Sequence, residues 1–387
     1  MQFMWSLLLA AGALQSTVIV ATCIATRPPT GQAWEPLASD DECHLSGEGT
    51  DSSCALDALQ RRVVAREAPN VSSPSLAVAG AVPPGMNLGG WLVLEDWFFS
   101  GAGGRHVASQ NNSGQGTCLP PLLWGMDKEP WSSEGLLTKQ LQDSRGEAEV
   151  LKIFSAHRQR YISDDDFKKI VTLGIRSIRL PLPWSTFADA LSPIDAEAYK
   201  PGAKIVPDPF YAEQASFVTV DRDWLAQILR QAAHHKLKVV LDLHNMPGGS
   251  SDGTYNGIWP LTPKFWTATV AAGGKGAMLA EVGHWIVEAF VKWVEGLGPV
   301  ELSAVEGITL LNEPGHMANV DKSKGNPFTM GETQVMDWAH KAAGIFRRSA
   351  LPGRGVKLYV NMVESAFDNF WETVPDWYSQ SFSLQER

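Results

Sequence analysis

The sequence predicts an α/β fold of parallel β/α units, on three observations. Five apolar runs of strand length follow one another after residue 84. Helical patterns, with apolar residues spaced by three and four, lie between them. Four of the five runs end on polar or charged side chains.

The elements can be justified in chain order. Residues 86–95 read as a strand interrupted by Gly89 and Gly90. Ser163 followed by Asp164, Asp165 and Asp166 opens a helix, with the serine as N-cap and the acids in the positively polarised first turn. Residues 176–182 form a second strand. Trp224, Leu225, Ile228, Leu229 and Ala232 then mark a helix face, and 237–244 a third strand. Val282, Ile286, Ala289, Phe290, Trp293 and Val294 mark the next helix, 307–312 a fourth strand, 333–349 a helix and 356–363 a fifth strand.

Composition narrows the function classes. A chain of 387 residues, 44% hydrophobic, holds one large domain or two ordinary ones. Its formal charge of −10 argues against nucleic acid or an anionic membrane surface as partner, since both attract basic surface. The 15 tryptophans are core, or platforms for sugar rings. Nine histidines include no His-x-x-x-His on a plausible helix, and the four cysteines have no zinc-site spacing, so no metal or cofactor is expected.

The chain divides into three parts. Residues 1–25 carry no charged side chain and are strongly apolar, as expected of a signal peptide or, if uncleaved, a membrane anchor. Residues 26–84 read as a linker or pro-segment, with one possible helix at 55–67 and a dibasic Arg61-Arg62. The sequons at Asn70 and Asn111 agree with a secreted or cell-wall protein. Cys43 and Cys54 could pair there, leaving Cys118 without an assigned partner. Residues 85–387 form the β/α domain.

The strand ends carry the chemistry. Glu95 ends the first run and Arg179 lies near the end of the second. Asp242 and His244 end the third, and Asn312 and Glu313 the fourth, just before Pro314. In a (β/α)8 barrel all of these face one bowl at the C-terminal rim. A carboxylate, a guanidinium, an imidazole and an amide together suit acid/base work on a polyhydroxylated substrate. A glycosidic oxygen leaves only when protonated, so one carboxyl must act as acid while a second attacks or activates water. Each residue also has a plain alternative. Arg179 and Glu95 could form a structural ion pair, and His244 could be a satisfied core histidine.

The run Met86-Asn87-Leu88-Gly89-Gly90-Trp91-Leu92-Val93-Leu94-Glu95 resembles the opening strand of fungal-type exo-β-1,3-glucanases of glycoside hydrolase family 5. Residues 157–167 (HRQRYISDDDF), 174–181 (GIRSIRLP), Asp242-Leu243-His244 with Pro247-Gly248, and 307–314 (GITLLNEP) are similar to later family segments, in the family's order. The resemblance spans roughly residues 86–371. It implies a (β/α)8 TIM barrel present as about its first five β/α units, a retaining β-glucosidase chemistry on β-glucan, a monomer and no cofactor. It implies that Glu313 is the general acid/base and that Asn312 binds the sugar 2-hydroxyl. Arg179 would orient the nucleophilic carboxylate, His244 would support substrate hydroxyls, and Glu95 would bind the terminal glucose. Tyr255, Trp184 and Trp259 are looser candidates for stacking faces.

The family's nucleophile is a glutamate after strand seven, and the sequence provides none at a matching position before Arg387. Glu364 lies where the family has no nucleophile. This chain is therefore expected to be a truncated domain with little or no hydrolytic activity. Two other readings stay open: a β-glucan-binding pseudoenzyme, and a relative acting on β-1,4-glucan or glycolipid glucosides.

Overall fold

The computed structural model describes residues 85–95, 132–251, 253–314 and 332–361, together with the backbone of 6–7 and 18–23. The expected signal cleavage, the segment 26–84, both sequons, Cys43, Cys54, Cys118 and Glu364 lie outside these residues. Among the described residues no helix is long and apolar enough to cross a membrane.

In chain order the elements are β1 (Ser6–Leu7), β2 (Val18–Cys23), β3 (Gly85–Asn87), α1 (Glu134–Arg145), α2 (Glu147–Tyr161), α3 (Asp164–Thr172), β4 (Ser177–Leu182), β5 (Ile205–Pro207) and β6 (Ser216–Val218). There follow α4 (Arg222–His234), β7 (Lys238–Leu243), β8 (Thr269–Ala272), β9 (Lys275–Met278), α5 (Leu279–Glu295), α6 (Pro299–Ala304), β10 (Val305–Thr309), α7 (Glu332–Arg348) and β11 (Lys357–Asn361). The main sheet runs β1-β2-β11-β10-β7-β4-β3. Its five strands β3, β4, β7, β10 and β11 are all parallel and neighbour one another in chain order. That is the winding of consecutive β/α units, and the fold is a partial (β/α)8 barrel, about five units of it. On the far side of β11, the backbone of Val18–Cys23 lies parallel to 358–361.

Strand alternation sorts the side chains. Ile178, Leu180 and Leu182, then Val239, Leu241 and Leu243, then Ile308, Leu358 and Val360 are all buried on the helix side of the sheet. The opposite face carries Asn87, Arg179, Asp242 and Asn361; Arg179 bonds Asn87 and Asp242, and Asn361 joins them through Asn312. The helices dock as amphipathic patterns require. Leu225, Ile228, Leu229 and Ala232 of α4, and Val282, Ile286, Phe290 and Val294 of α5, are buried in one common core. The expected cap of α3 is a full capping box. Asp166 accepts the Ser163 amide at 2.8 Å while the serine side chain faces the N3 amide.

Three features differ from expectation. The first strand is short: only Gly85–Asn87 pairs, and after the Leu88 amide bonds Arg179 O at 2.9 Å the chain leaves the ladder, with Gly90 at φ 73°. The fourth strand is displaced to Val305–Thr309, with an irregularity between Val305 and Gly307. Helix α6 and the hairpins β5–β6 and β8–β9 lie outside the sequence-based expectation, as do two longer helices, α1 and α2. Their apolar stripe is thin, and Leu137, Leu141, Val150, Ile153 and Phe154 form a small satellite core with Leu94 and Val218.

Gly307 is required by close packing. A Cβ there would lie 2.7 Å from the Lys357 carbonyl oxygen and would run into the Tyr359 ring. The carbonyl belongs to the adjacent strand and cannot step aside. Gly307→Ala is expected to destabilise the domain by about 3 kcal/mol, read as a lowered urea midpoint at unchanged slope. A midpoint equal to wild type would contradict this packing.

Candidate active site

The predicted strand-end residues converge. Arg179 projects from β4 and forks across three elements. Its Nη1 donates to Asn87 Oδ1 at 3.1 Å, and its Nη2 to Asp242 Oδ2 at 2.8 Å and Asn312 Oδ1 at 2.6 Å. A planar guanidinium suits such divergent acceptors, which a single ammonium would not satisfy. Arg179 therefore pairs with Asp242. The ion pair with Glu95 considered from sequence is not the arrangement found.

His244 lies one residue beyond β7 and is 3% exposed. Its Nδ1 donates to Asp242 Oδ2 at 2.6 Å, and its Nε2 lies 3.5 Å from Glu95 Oε1. Burial opposes the charged ring, but Asp242 and then Glu95 outweigh it, and the His244 pKa is pushed up to about 9. At neutral pH the ring is an imidazolium held between two carboxylates. Buried charges of both signs here are compensated, as burial demands.

Asn312 is 2% exposed. Its amide N–H bonds Leu243 O at 3.0 Å, which keeps this residue beside β7 after β10 has ended. Its Oδ1 accepts from both Arg179 and Asn361 Nδ2, the latter at 2.9 Å. Two donors on one oxygen fix the amide orientation and leave Nδ2 as the end able to donate elsewhere.

Glu313 follows with φ at +45°, a left-handed conformation that a glutamate rarely adopts. Ser251 Oγ donates to its carbonyl at 2.8 Å, tying the turn to the loop after β7. Tyr255, on the same loop, packs edge-on to His244 with ring centroids 5.9 Å apart. Burial, then the Glu313 charge, push the Tyr255 phenol well above its ordinary range. The loop is braced from below. Asp208, fully buried, accepts the amides of Gly248, Phe210 and Tyr211, and Asn245 Oδ1 accepts the Trp184 amide.

The stacking candidates separate. Trp184 is fully buried, with its ring 5.2 Å from Phe217, so it is a core residue. Trp259 is half-buried on the loop that carries Tyr255. Asn361, Asn87 and Ser251 carry no signal in the sequence, whereas Asp242 is legible as a rim residue, since Asp-x-His at a strand end puts both side chains on one face; only its partners are not. Among the described residues no group of His, Cys, Asp or Glu is arranged to hold a metal ion.

No family model matches the chain. Curated relatives do. A glucan 1,3-β-glucosidase of Blumeria graminis is 26% identical over 266 residues, 65% of this chain and 47% of that protein. The chain resembles the glucan 1,3-β-glucosidases. A probable glucan 1,3-β-glucosidase A of Aspergillus fumigatus is 25% identical over 79% of this chain and 56% of its own length. The chain thus spans about half the length of these glucosidases. Among solved structures, rutinosidase from Aspergillus niger superposes with a TM-score of 0.50 at 15% identity, covering 78% of this chain and 66% of that one. At that identity the superposition speaks for the fold.

Proposed function

We propose that this chain carries the sugar-binding and acid/base part of a retaining exo-β-1,3-glucanase-type active site. The observation that carries the reading is the hydrogen-bonded junction of four residues from three adjacent strands, Arg179 of β4, Asp242 and His244 at the end of β7 and Asn312 after β10, directly before Glu313. The glucan glucosidase relatives support the substrate class.

In this reading Glu313 protonates the departing glycosidic oxygen and later takes a proton from the incoming water. Asn312 Nδ2, left available by the two donors on Oδ1, meets the sugar 2-hydroxyl. Glu95 and His244 hold hydroxyls of the terminal glucose. Arg179 and Asp242 fix Asn312 and His244 in place. Retention needs a second carboxyl about 5 Å from Glu313. We assign it to a glutamate after the seventh barrel strand, as the family resemblance implies. Secretion to the cell wall fits the uncharged apolar N-terminus and the two sequons.

The test is laminarin hydrolysis by the full natural polypeptide and by Glu313→Gln. The variant should lose about 10³-fold in kcat while laminarin binding stays within threefold, because general acid/base catalysis is worth roughly that much. Wild-type activity that survives the substitution would remove Glu313 from the mechanism. Binding by wild type with no hydrolysis would make the protein a glucan-binding pseudoenzyme.

A further inference from the structure

Glu95 sits on a segment with little strand support. Residues 88–95 are buried throughout, yet pairing with β4 ends at Leu88. Buried backbone groups must find partners, and here side chains and carbonyls of α1 and α2 supply them. His157 Nε2 donates to Gly90 O at 3.0 Å and lies 3.2 Å from Trp91 O. Trp91 Nε1 donates to Arg158 O at 2.7 Å. The Leu94 amide, in the peptide next to Glu95, donates to Glu134 Oε2 at 2.8 Å.

Glu134 is an unusual residue to find there. It is fully buried at the first turn of α1, and its second oxygen, Oε1, is buried without a hydrogen-bond partner. The nearby Arg158 guanidinium does not bond it. Arg158 donates instead to Val218 O at 2.9 Å and Thr219 O at 2.7 Å. A leucine or glutamine would fill the same space without burying an ionisable group, so packing does not account for a carboxyl here.

We propose that Glu134 is a positioning residue for the sugar-binding carboxylate of Glu95, and that its protonation state couples glucan binding to pH. The inference rests on the assignment of Glu95 to the glucose subsite. Burial pushes the Glu134 pKa up to about 7, against the opposing pull of Arg158, the Leu94 amide and His244. The groups that face it from α2 and from the end of β7 hold one state across pH 5.5–8, and Glu95 is the carboxyl whose segment it braces. On α2, Arg158 is lowered by burial to about 10 and stays charged, His157 is lowered to about 4 and stays neutral, and burial drives Tyr161 upward. Beyond β7, His244 stays protonated. Glu134 is therefore the group in this cluster that changes charge over that interval. Its carboxylate form accepts the Leu94 amide more strongly than its acid form, because hydrogen bonds to an ionised acceptor are the stronger kind.

The experiment is calorimetric titration of the full chain with laminaribiose at pH 5.5 and pH 8. Wild type should bind about fivefold more tightly at pH 8. Glu134→Gln keeps a neutral acceptor for the Leu94 amide and copies the protonated state. It should bind with the weak low-pH affinity at both pH values. Glu134→Ala removes the acceptor and should bind about tenfold more weakly still, with thermal midpoints recorded for every variant. A purely structural Glu134 would lower the midpoint of Glu134→Gln and leave its affinity and pH profile as in wild type, and that result overturns the proposal. If wild type binds laminaribiose at neither pH, the glucan reading itself falls and takes this inference with it.

Discussion

Arg179→Met is expected to eliminate measurable laminari-oligosaccharide binding and to lower stability by about 3–5 kcal/mol. The magnitude follows from what the guanidinium holds. Asp242 is fully buried, and loss of Arg179 leaves its charge to His244 alone. Removing one partner from a buried charge network costs far more than the network contributes, because the remaining charge stays desolvated. Asn312 loses one of the two donors that fix its amide, and the Asn87 side chain loses its donor while its backbone stays paired to β4. The side chain of Asn312 is then free to turn, and the donor proposed to meet the sugar is no longer pre-set. Arg179→Lys separates charge from geometry. An ammonium restores the positive charge beside Asp242 but cannot fork to Asn87 and Asn312 together. Lysine should recover most of the stability and less than a tenth of the binding. Equal recovery of both would mean that Arg179 acts through charge alone and that its fork is incidental. The measurements are equilibrium urea unfolding and laminaribiose titration on the same preparations.

How much of this was legible in the sequence varies with how local the signal is. Four of the five strands came out near their true positions because their outward residues are uninterrupted apolar runs, as at Ile178–Leu180–Leu182 and Val239–Leu241–Leu243. The first was overextended. Residues 88–95 are mostly apolar like a strand, yet instead of pairing they bury Leu88, Trp91 and Leu92 in the main core and Leu94 against α1 and α2. The helices α1 and α2 give a weak sequence signal because they bury only a few residues each. The partners of those residues, Leu94 and Val218, are distant in sequence. The same distance hides Glu134. Nothing in Ser132-Ser133-Glu134-Gly135 marks the glutamate as buried, since the group it serves lies 40 positions earlier. The candidate residues Arg179, His244 and Asn312 were legible because they lie on or just past parallel strands β4, β7 and β10, and the sheet topology brings those positions together without further information. The hydrogen bonds among them were not, since the choice of Asp242 over Glu95 as partner for Arg179 depends on register: Pro181 on β4 faces Asp242 on β7.

The stability of this domain should be level between about pH 4.5 and 6.5 and then fall by about 3 kcal/mol as the pH rises to 9. Three buried groups set the main course, with signs taken one at a time, and Asp208, raised by burial, adds a smaller decline as the pH rises above its ordinary carboxyl range. His157 is lowered from 6.5 to about 4, so its contribution is full above pH 6.5 and is lost as pH falls toward 4. Glu134 is raised from 4.5 to about 7, so its contribution is full below pH 4.5 and is lost as pH rises to 7. Over pH 4.5–6.5 the two slopes are opposite and similar in size, which gives the level stretch. His244 is raised from 6.5 to about 9, so the folded state holds a proton that the unfolded state has released. Its contribution is intact below pH 6.5 and disappears as pH rises through 9, and a shift of this size is worth about 3 kcal/mol. Urea unfolding of wild type and His244→Gln at pH 6, 7.5 and 9 isolates that last term. The variant should be less stable than wild type at pH 6, with the gap closing by pH 9. A gap that stays constant over this range would mean that the imidazolium between Asp242 and Glu95 does not exist, and with it would go the charged floor of the proposed glucose subsite.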